Sequence, residues 1–432
     1  MQLSHKIALR PNQRQLAYFR KAAGAARFAW NHALAAWEEA YRTDGTVDSF
    51  KLEREFNARK ADLFPWIAEV SARIPNRVFA NLRRAFVSFF GKRTKHPKFK
   101  SKRRDRDSFY VHNREFKVIG KTLFLCPAKG FSPIQMCESL RFTGKIMGAT
   151  ISREADQWSI AVQVDVGEYA RSRTGDGVVG ADLGVKHLVA LSTGEFIEGL
   201  RPLEKALEQL RRLSRRLSRK KKGSNNRRKA TQKLAKLYAD VSHVRNDFIH
   251  NLTTRLCREN QAVAIEDLNV AGMMRNKRLA RYIGDAGFGE IRRQFGYKGP
   301  IFGTRIVVAD RWFPSTQTCS ECGAVREVKL TLADRVFVCD MCGYEADRDF
   351  NASRNLRKLI PVNDGESTGN FFASDGREEP PCRTPAEREA LARPKGRVKP
   401  HLAEAGTLVG GFNKCVRSTR QLDAEYSGAG LD

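Results

Sequence analysis

Two Cys-x-x-Cys pairs constrain the fold of this chain more than any other feature of its sequence. Cys319 and Cys322 form the first pair, and after sixteen further residues Cys339 and Cys342 form the second. A glycine follows each pair, which suits the positive φ of a tight turn. Four thiolates on two such turns complete a tetrahedral Zn²⁺ site and leave no open coordination position. The pattern therefore predicts one structural zinc ion, with a redox role or a chance arrangement as the alternatives.

The net charge indicates the class of partner. The 432-residue chain has 78 Lys and Arg against 48 Asp and Glu, so its formal charge is +30. A compact protein with this charge repels itself and needs a polyanionic partner. Nucleic acid is the first candidate, and an anionic membrane surface is the second. We favour nucleic acid because the sequence has neither an apolar stretch long enough for a membrane span nor the apolar region of a signal peptide. We expect no membrane partner and no small-molecule substrate. Nine cysteines are too few for a disulfide scaffold, so we also expect a reducing, cytoplasmic location.

The positive charge is confined to residues 1–360. That part has 68 Lys and Arg against 37 Asp and Glu, whereas residues 361–432 have 10 against 11. The C-terminal segment also holds 6 of the 15 prolines and shows no sustained periodicity. This composition predicts a flexible, disordered tail over residues 361–432.

Two runs within residues 1–360 are especially basic. Residues 92–106 have nine Lys and Arg against one acid, and residues 201–236 have fifteen against two. In the second run, leucines recur every three or four residues from Leu203 to Leu217, and Gly223 interrupts the pattern. This pattern predicts a helical hairpin or a long broken helix. A merely solvated face would carry both signs of charge, so we expect nucleic-acid contacts from both runs. The candidates are Lys98, Lys100, Lys102, Arg103, Arg104, Arg211, Arg212, Arg215, Arg216, Arg219, Arg227 and Arg228.

Hydrophobic periodicity divides residues 1–360 into a helical part, a β-rich part and a mixed part. A strand at 5–9 is predicted to precede helices at 13–37, 50–63 and 76–90. Strands are predicted at 108–118, 122–126, 149–153 and 158–166. Further on, buried strands at 178–181, 188–192, 262–265 and 305–309 alternate with helices, including one at 247–258. We predict a multidomain fold that combines α+β and α/β parts.

Three carboxylates mark a candidate catalytic site. Asp182 and Glu266 each follow a buried strand, and Asp349 lies just past the cysteine pairs, before a predicted helix at 352–359. Carboxylates at strand ends and at a helix start can converge from distant parts of the chain. Converging carboxylate oxygens bind Mg²⁺, and a pair of Mg²⁺ ions drives in-line phosphodiester hydrolysis. Each acid alone is better explained as a loop residue or a helix cap, so the prediction depends on the set.

Three segments around these acids resemble the RuvC-type nuclease motifs of the TnpB family. They are residues 180–186 (GADLGVK), 265–270 (IEDLNV) and 347–352 (DRDFNA). Residues 9–12, 280–289 and 314–319 also match the family, so the resemblance covers about residues 5–360. TnpB proteins are transposon-encoded relatives of the type V CRISPR effectors.

The resemblance implies an RNA-guided DNA endonuclease. Members of this family bind a guide RNA from the transposon end, read a short target-adjacent motif and open double-stranded target DNA. They cut both strands at a single RuvC site with Mg²⁺. By similarity, Asp182, Glu266 and Asp349 hold two Mg²⁺ ions; Asp347 is the less favoured third acid, and Asn351 orients the third acid. The same resemblance implies a prokaryotic, nucleoid-associated protein of the cytoplasm.

The resemblance also implies a division into domains. We expect a helical recognition lobe, a β-barrel-like wedge domain, an RNase H-like RuvC domain with an inserted Cys₄ zinc ribbon, and the disordered C-terminal tail. The expected boundaries are 1–10 for the wedge strand, 11–106 for the recognition lobe, 107–174 for the rest of the wedge domain, 175–314 for the RuvC domain with its basic helices at 201–260, 315–346 for the zinc-binding target-nucleic-acid domain, 347–360 for the third RuvC motif and 361–432 for the tail.

A few side chains must read the target-adjacent motif, because base pairing with a guide supplies the remaining specificity. Arg77 and Asn81 lie one turn apart on the helix after Pro75, and Tyr110, His112 and Asn113 are further candidates. For each of them, the alternative is a solvated surface position.

Three other functions would use some of the same features. A compact type V CRISPR effector would share every motif. A transposase would use the same acids to join strands at transposon ends without RNA. A nucleic-acid-binding regulator of a transposon would need only the basic surface and the zinc site. Because all three acids are present, we favour a nuclease over a regulator.

Overall fold

The computed structural model describes residues 1–125, 131–328, 330 and 334–361. Within these residues the architecture is mixed α+β, with a seven-stranded sheet, a five-stranded sheet and a two-stranded ribbon. Apart from Pro361, the predicted disordered tail lies outside the described residues. No helix in these ranges has the length and apolar character needed to cross a lipid bilayer.

Three helices follow the first strand, as the sequence predicts. Strand β1 spans Gln2–Arg10, and helices α1, α2 and α3 span Gln13–Asp44, Ser49–Leu63 and Arg73–Phe90. The Asn12 side chain starts α1 by accepting a hydrogen bond from the Gln15 backbone N–H, and the Gln15 side chain accepts one from the Asn12 N–H. Gly45 ends α1 in the left-handed conformation that favours glycine, with φ at 66°.

The seven-stranded sheet is antiparallel throughout, in the order β2-β6-β7-β1-β5-β4-β3. Strands β2 to β7 span Ser108–His112, Phe116–Ile119, Thr122–Leu125, Ile134–Met136, Lys145–Glu154 and Gln157–Asp165. The prediction of one strand at 108–118 is wrong, because a 3₁₀ turn at Asn113–Glu115 separates two strands. This turn is fixed locally: the Glu115 side chain accepts a hydrogen bond from the His112 N–H, and the His112 ring accepts one from the Arg114 N–H.

The three helices and this sheet share one hydrophobic core. Phe19 of α1 is fully buried, and its ring lies 5.7 Å from Phe109 and 5.1 Å from Trp158. Aromatic rings packed in this way bury much apolar surface and prefer tilted or edge-to-face geometry. The helical part and the β-rich part of the chain therefore stabilise each other.

The five-stranded sheet has the order β10-β9-β8-β11-β12. Strands β8 to β12 span Gly177–Asp182, Val189–Leu191, Phe196–Ile197, Asn260–Ile265 and Arg305–Val308. Strands β8, β11 and β12 are parallel, whereas β9 and β10 continue the sheet by antiparallel pairing. The carboxyl ends of the three parallel strands consequently lie at one edge of the sheet.

Six helices of the described chain belong to this second part. Helices α4 to α9 span Pro202–Lys205, Leu207–Ser218, Asn225–Glu259, Val270–Met273, Ala280–Ala286 and Phe288–Phe302. The helical hairpin predicted for the second basic run is confirmed as α5 and α6. The prediction of a separate helix at 247–258 is wrong, because α6 continues unbroken for 35 residues and contains neither glycine nor proline.

A small ribbon and one helix complete the described chain. Strands β13 and β14 span Val336–Val338 and Glu345–Asp347 and pair antiparallel. Helix α10 spans Arg348–Lys358 and begins directly after β14.

Candidate functional site

Strand pairing places two of the three predicted acids side by side. Asp182 is the last residue of β8, and Glu266 is the first residue after β11. These strands are parallel neighbours, with Ala181 opposite Ile265. The next residue of each chain, Asp182 and Glu266, therefore lies at the same level, with neighbouring strands about 4.8 Å apart.

Helix α10 brings the third acid to the same edge. It crosses β8 so closely at Gly180 that a Cβ there would lie 2.0 Å from the Ser353 carbonyl oxygen and 2.5 Å from the Arg357 nitrogen. Only glycine allows this approach. The Asp349 carboxylate, in the first turn of α10, then lies beside Gly184, 3.9 Å from where a Cβ of that residue would be. The structure thus brings Asp182, Glu266 and Asp349 together.

The three acids interact electrostatically. Burial, together with the negative charges of Glu266 and Asp349, raises the pKa of Asp182 well above its usual value, against the opposing effect of Arg348. Burial also raises the pKa of Glu266, and Asp349 adds to that shift. Buried carboxylates that repel one another favour either protons or metal cations as counter-charges.

Two neighbours that the sequence did not single out hold these acids. The Ser315 hydroxyl donates a 2.5 Å hydrogen bond to Glu266 Oε1. The Arg348 guanidinium donates from two nitrogens to Asp349 Oδ1, at 3.2 and 3.1 Å. Ser315 lies within the matched segment 314–319, and Arg348 lies between the two acids of the third motif, so motif membership was the available signal.

The two aspartates of the third motif have different roles in the structure. Asp347 is the N-cap of α10, because its carboxylate accepts hydrogen bonds from the backbone N–H groups of Asp349 and Phe350. Asp349 instead faces the other acids. Asn351, which was expected to orient Asp349, bonds elsewhere: its side chain accepts from the Ser320 N–H and donates to the Thr318 carbonyl.

The four predicted zinc ligands form a compact cluster. Their sulfur atoms all lie within 4.8 Å of one another. The Sγ atoms of Cys319 and Cys342 are 3.7 Å apart, and those of Cys322 and Cys339 are 3.6 Å apart. Zn–S bonds of about 2.3 Å in a tetrahedron place sulfurs about 3.8 Å apart, so the cluster could bind a zinc ion.

The two turns that present these cysteines are built alike. Gly323 and Gly343 have φ values of 80° and 72°, and each donates its N–H to the carbonyl of the first cysteine of its pair at 3.0 Å. The predicted positive φ of both glycines is confirmed. Backbone N–H groups of Cys342 and Met341 lower the pKa of Cys339 to about 6. Against the backbone N–H of Tyr344, burial and the other three sulfurs raise the pKa of Cys342 to about 12, so these two thiols differ in acidity.

Buried hydrogen bonds connect the first of these turns to α10. Asn355, one turn beyond Asn351, donates to the carbonyls of Ser315 and Thr318. Lys358 donates to the Ser320 carbonyl, and Arg354 pairs with Glu321. Asn351 and Asn355 are both almost fully buried. One face of α10 therefore makes hydrogen bonds and an ion pair to residues around the first cysteine pair, while the first turn of the helix carries Asp349.

The predicted nucleic-acid-binding residues fall into two groups. Most are exposed: Asn81, Lys98, Lys102, Arg103, Arg104, Arg211, Arg212, Arg215, Arg216, Arg219 and Arg228. Three are half-buried and engaged within the protein. The Arg77 guanidinium lies 4.5 Å from the centre of the Tyr110 ring, and the Lys100 ammonium lies 3.8 Å from that of Trp30. Arg227 donates to the Leu217 and Lys220 carbonyls at the end of α5.

Three sequence families match segments of the chain. Residues 159–277 match OrfB_IS605, described as a probable transposase, and residues 288–356 match the TNB domain of Cas12f1-like proteins. Residues 1–46 match a helix-turn-helix domain of the OrfB_IS605 type. In the structure, that last segment consists of strand β1 and the single helix α1.

Bacterial proteins match this chain over most of their length. A Streptomyces pristinaespiralis protein, provisionally named RNA-guided DNA endonuclease, is 36% identical over 357 residues, which cover 81% of this chain and 87% of the relative. An Escherichia coli K12 protein with the same provisional designation is 31% identical over 373 residues, covering 81% and 90%. In fold, the chain is similar to Cas12f1 in its solved complex with sgRNA and target DNA, with a TM-score of 0.52, 16% identity, and coverage of 80% of this chain and 83% of that one.

Proposed function

The chain belongs to the TnpB family, and on that basis we propose that it is an RNA-guided DNA endonuclease whose cutting centre consists of Asp182, Glu266 and Asp349. The observation that carries this proposal is the convergence of two buried acids, Asp182 and Asp349, and the half-buried Glu266 from two strand ends and one helix start. Such a cluster is costly for a protein to keep without a cationic ligand. We infer the nucleic-acid substrate from the family, and the cutting centre from the positions of the three acids.

The sheet topology supports an RNase H-like RuvC assignment for this part of the chain. Three parallel strands stand next to two antiparallel strands in the order β10-β9-β8-β11-β12, with acids at the ends of β8 and β11. Open sheets of this kind hold their ligands at the carboxyl ends of the strands. The seven-stranded sheet and the three N-terminal helices are our candidates for the wedge domain and the recognition lobe.

The residues present fit a Mg²⁺ site. Carboxylate oxygens are the preferred ligands of Mg²⁺. Burial, and after it repulsion from Glu266 and Asp349, raises the pKa of Asp182, as expected of a site that binds positive charge. Asp182, Glu266 and Asp349 would hold two ions. When bound, such ions supply an activated water and stabilise charge on the phosphate during in-line hydrolysis.

The other residues of the centre position these ligands. Ser315 donates its hydrogen bond to Glu266 Oε1 and does not engage the second carboxylate oxygen of Glu266. Arg348 donates two hydrogen bonds to Asp349 Oδ1, while Oδ2 lies on the side of Gly184. Asp347 caps α10 and thereby sets the helix start on which Asp349 is carried.

The basic surface provides for the RNA. The exposed arginines of α5 and α6 follow β10 in the chain and precede β11. In the sequence they therefore lie between Asp182 and Glu266. A protein that leaves sequence recognition to base pairing needs many phosphate contacts and few base contacts. We assign the guide RNA, derived from the transposon end, and its duplex with target DNA to this hairpin. Arg77 and Asn81, with Tyr110, His112 and Asn113, remain our candidates for reading the target-adjacent motif.

The test combines RNA identification with a cleavage assay. RNA that co-purifies with the protein is sequenced, and a plasmid matched to its 3′ portion is incubated with the complex and Mg²⁺. We expect double-strand cutting by the wild type, none by Asp182→Ala, and wild-type cutting by the control Asp176→Ala. Asp176 is exposed and precedes β8, at the opposite end of the strand from Asp182. Absence of bound RNA, or equal cutting by Asp182→Ala, would reject the proposal.

The same assay separates the alternative functions. The name of the matched OrfB_IS605 family favours a transposase as the second candidate. A transposase would join transposon ends without RNA, and a regulator would bind DNA without cutting it. A compact CRISPR effector would cut like a TnpB protein, but its gene would lie beside a repeat array rather than a transposon end.

A further inference from the structure

Trp312 differs from the other four tryptophans of the chain. Its side chain is 85% exposed, the largest value among the exposed large hydrophobic residues of the described chain. Each of the others has an aromatic or cationic partner: Trp30 with Lys100 at 3.8 Å, Trp37 with Phe86 at 4.2 Å, Trp66 with Phe28 at 5.1 Å and Trp158 with Phe19 at 5.1 Å. Among the described residues, none stacks on the Trp312 ring, places a cation over it or accepts a hydrogen bond from its Nε1.

The backbone around Trp312 is held in place although its ring is not. The Trp312 N–H donates to the Asp310 carboxylate at 2.8 Å, and the Phe313 N–H donates to the Asp310 carbonyl at 3.0 Å. A single exposed hydrophobic residue is ordinary on a protein surface. Trp312 differs from such residues in its position, because the turn that carries it borders the acid cluster.

Three contacts connect this turn to the segment that carries Glu266. The Ala309 N–H donates to the Ile265 carbonyl at 2.8 Å, and Arg311 donates to Asp267 Oδ2 at 2.6 Å. On the other side of the turn, Ser315 donates to Glu266 itself. Three residues along the chain span at most about 11 Å, so Trp312 lies within a few nucleotide steps of the cluster, at about 3.4 Å per stacked base.

We propose that Trp312 is a stacking platform for a base of the single-stranded DNA that leads into the acid cluster. The proposal rests on the proposed function, which requires an opened DNA strand at this site. A guided nuclease must hold any sequence there, and stacking is suited to this because every base has a π-face. Holding a base a few nucleotides from the scissile phosphate limits how far that phosphate can move, which favours an in-line geometry.

The first experiment observes the Trp312 ring directly. Oligothymidylate is added to the RNA-bound protein without Mg²⁺, at raised salt so that contacts with phosphates contribute less. We expect quenching of tryptophan fluorescence in the wild type that is absent in Trp312→Phe and retained in the control Trp66→Phe. Trp66 is also exposed, at 42%, but lies in the helical part of the chain. Equal quenching of wild type and Trp312→Phe would overturn the proposal. Quenching of Trp312 by oligouridylate but not by oligothymidylate would also overturn it.

The second experiment measures affinity. Trp312→Ala should weaken binding of labelled oligothymidylate about tenfold, whereas Trp312→Phe should keep part of the affinity because it retains a ring. Unchanged affinity in Trp312→Ala would also overturn the proposal. Neither measurement needs cutting, so the two hypotheses can fail separately. If the wild type does not cut a guide-matched plasmid, the proposed function fails, while Trp312-dependent quenching would still establish a site for single-stranded DNA.

Discussion

At the scale of single residues, Asp182 combines a cost in stability with its proposed role in cutting. Its carboxylate is buried beside Glu266 and Asp349, and this environment raises its pKa. We predict that Asp182→Asn abolishes cutting but stabilises the Mg²⁺-free protein by about 1 kcal/mol or more at neutral pH, because burial and two neighbouring acids disfavour the charged form of Asp182. Thermal or urea unfolding in Mg²⁺-free buffer measures the difference.

The pH dependence of this difference provides an internal control. An acid whose pKa is raised in the folded state stabilises the fold when it is protonated, at low pH, and this stabilisation disappears as the pH rises through the folded pKa. The gap between Asp182→Asn and the wild type should therefore narrow as the pH falls toward 4. A gap that stays constant between pH 7 and pH 4 would contradict this account of Asp182.

His32 is a half-buried titratable residue, far along the chain from the acids. Its ring packs near Phe56 and Phe64, at 5.1 and 5.6 Å, and its Nδ1 is buried without a hydrogen-bond partner among the described residues. Burial lowers the pKa of His32, so the unfolded chain takes up a proton near pH 6.5 that the folded chain resists. Stability should therefore decline as the pH falls below about 6.5.

We predict that, between pH 7 and pH 5, the free energy of unfolding of His32→Phe falls by about 1 kcal/mol less than that of the wild type. Thermal unfolding at both pH values provides the measurement. His243→Gln is the matched control, because His243 is more than half exposed on α6. If His32→Phe and the wild type lose the same stability on acidification, His32 is not the source.

At the scale of elements, the basic hairpin contains neighbouring arginines with different tasks. Arg227 is half-buried and donates to two carbonyls at the end of α5, whereas Arg228 is exposed. We predict that Arg228→Ala reduces the slope of log affinity for guide RNA against log salt by about 0.7–0.9 and leaves the unfolding temperature unchanged. Arg227→Ala should instead lower the unfolding temperature, because the Arg227 guanidinium connects the start of α6 to the Leu217 and Lys220 carbonyls at and just beyond the end of α5. Interchanged effects of the two substitutions would contradict the division of roles.

Helix α10 joins the cysteine cluster to the acid cluster. Asn351 is fully buried and makes one hydrogen bond to each of Ser320 and Thr318, on the first cysteine turn. We predict that Asn351→Ala leaves the buried Ser320 N–H unsatisfied, at about 1–3 kcal/mol, because only the Thr318 carbonyl keeps a second donor in Asn355. The same substitution should accelerate zinc release to a chromogenic chelator about tenfold. The control Arg357→Ala alters an exposed residue of the same helix and should release zinc at the wild-type rate. Equal rates for all three proteins would show that α10 does not support the cluster.

The sequence predicted the elements of the site better than the contacts between them. Buried strands ending in Asp182 and Glu266 were recognisable because apolar runs end at acids, and the cysteine pairs were recognisable from spacing. The need for glycine at position 180 was not, because it arises from Ser353 and Arg357, more than 170 residues away in the chain. The bond from Ser315 to Glu266 and those from Asn351 to the first cysteine turn are likewise tertiary contacts without a local pattern.

At the scale of the whole molecule, charge is divided by position along the chain. Residues 1–360 carry all of the positive excess, whereas residues 361–432 are nearly neutral. Within the first part, the buried acids form a negative site, while the hairpin presents arginines to solvent. A nucleic acid bound by these arginines would be repelled by the acid cluster unless cations neutralise the carboxylates.

The division predicts what removal of the C-terminal segment should do. Ile360 is buried against Ala262 and Leu356, so a truncation after Pro361 keeps that packing intact. We expect the truncated protein to retain guide-RNA affinity and the wild-type salt slope, because the deleted segment contributes almost no net charge. As the matched comparison, replacing Arg211, Arg212, Arg215 and Arg216 together by Ala in the full chain should reduce the slope by about 3, at 0.7–0.9 for each lost phosphate contact. A truncated protein whose slope falls as far as that of the fourfold variant would place the RNA contacts in the tail and overturn the charge argument.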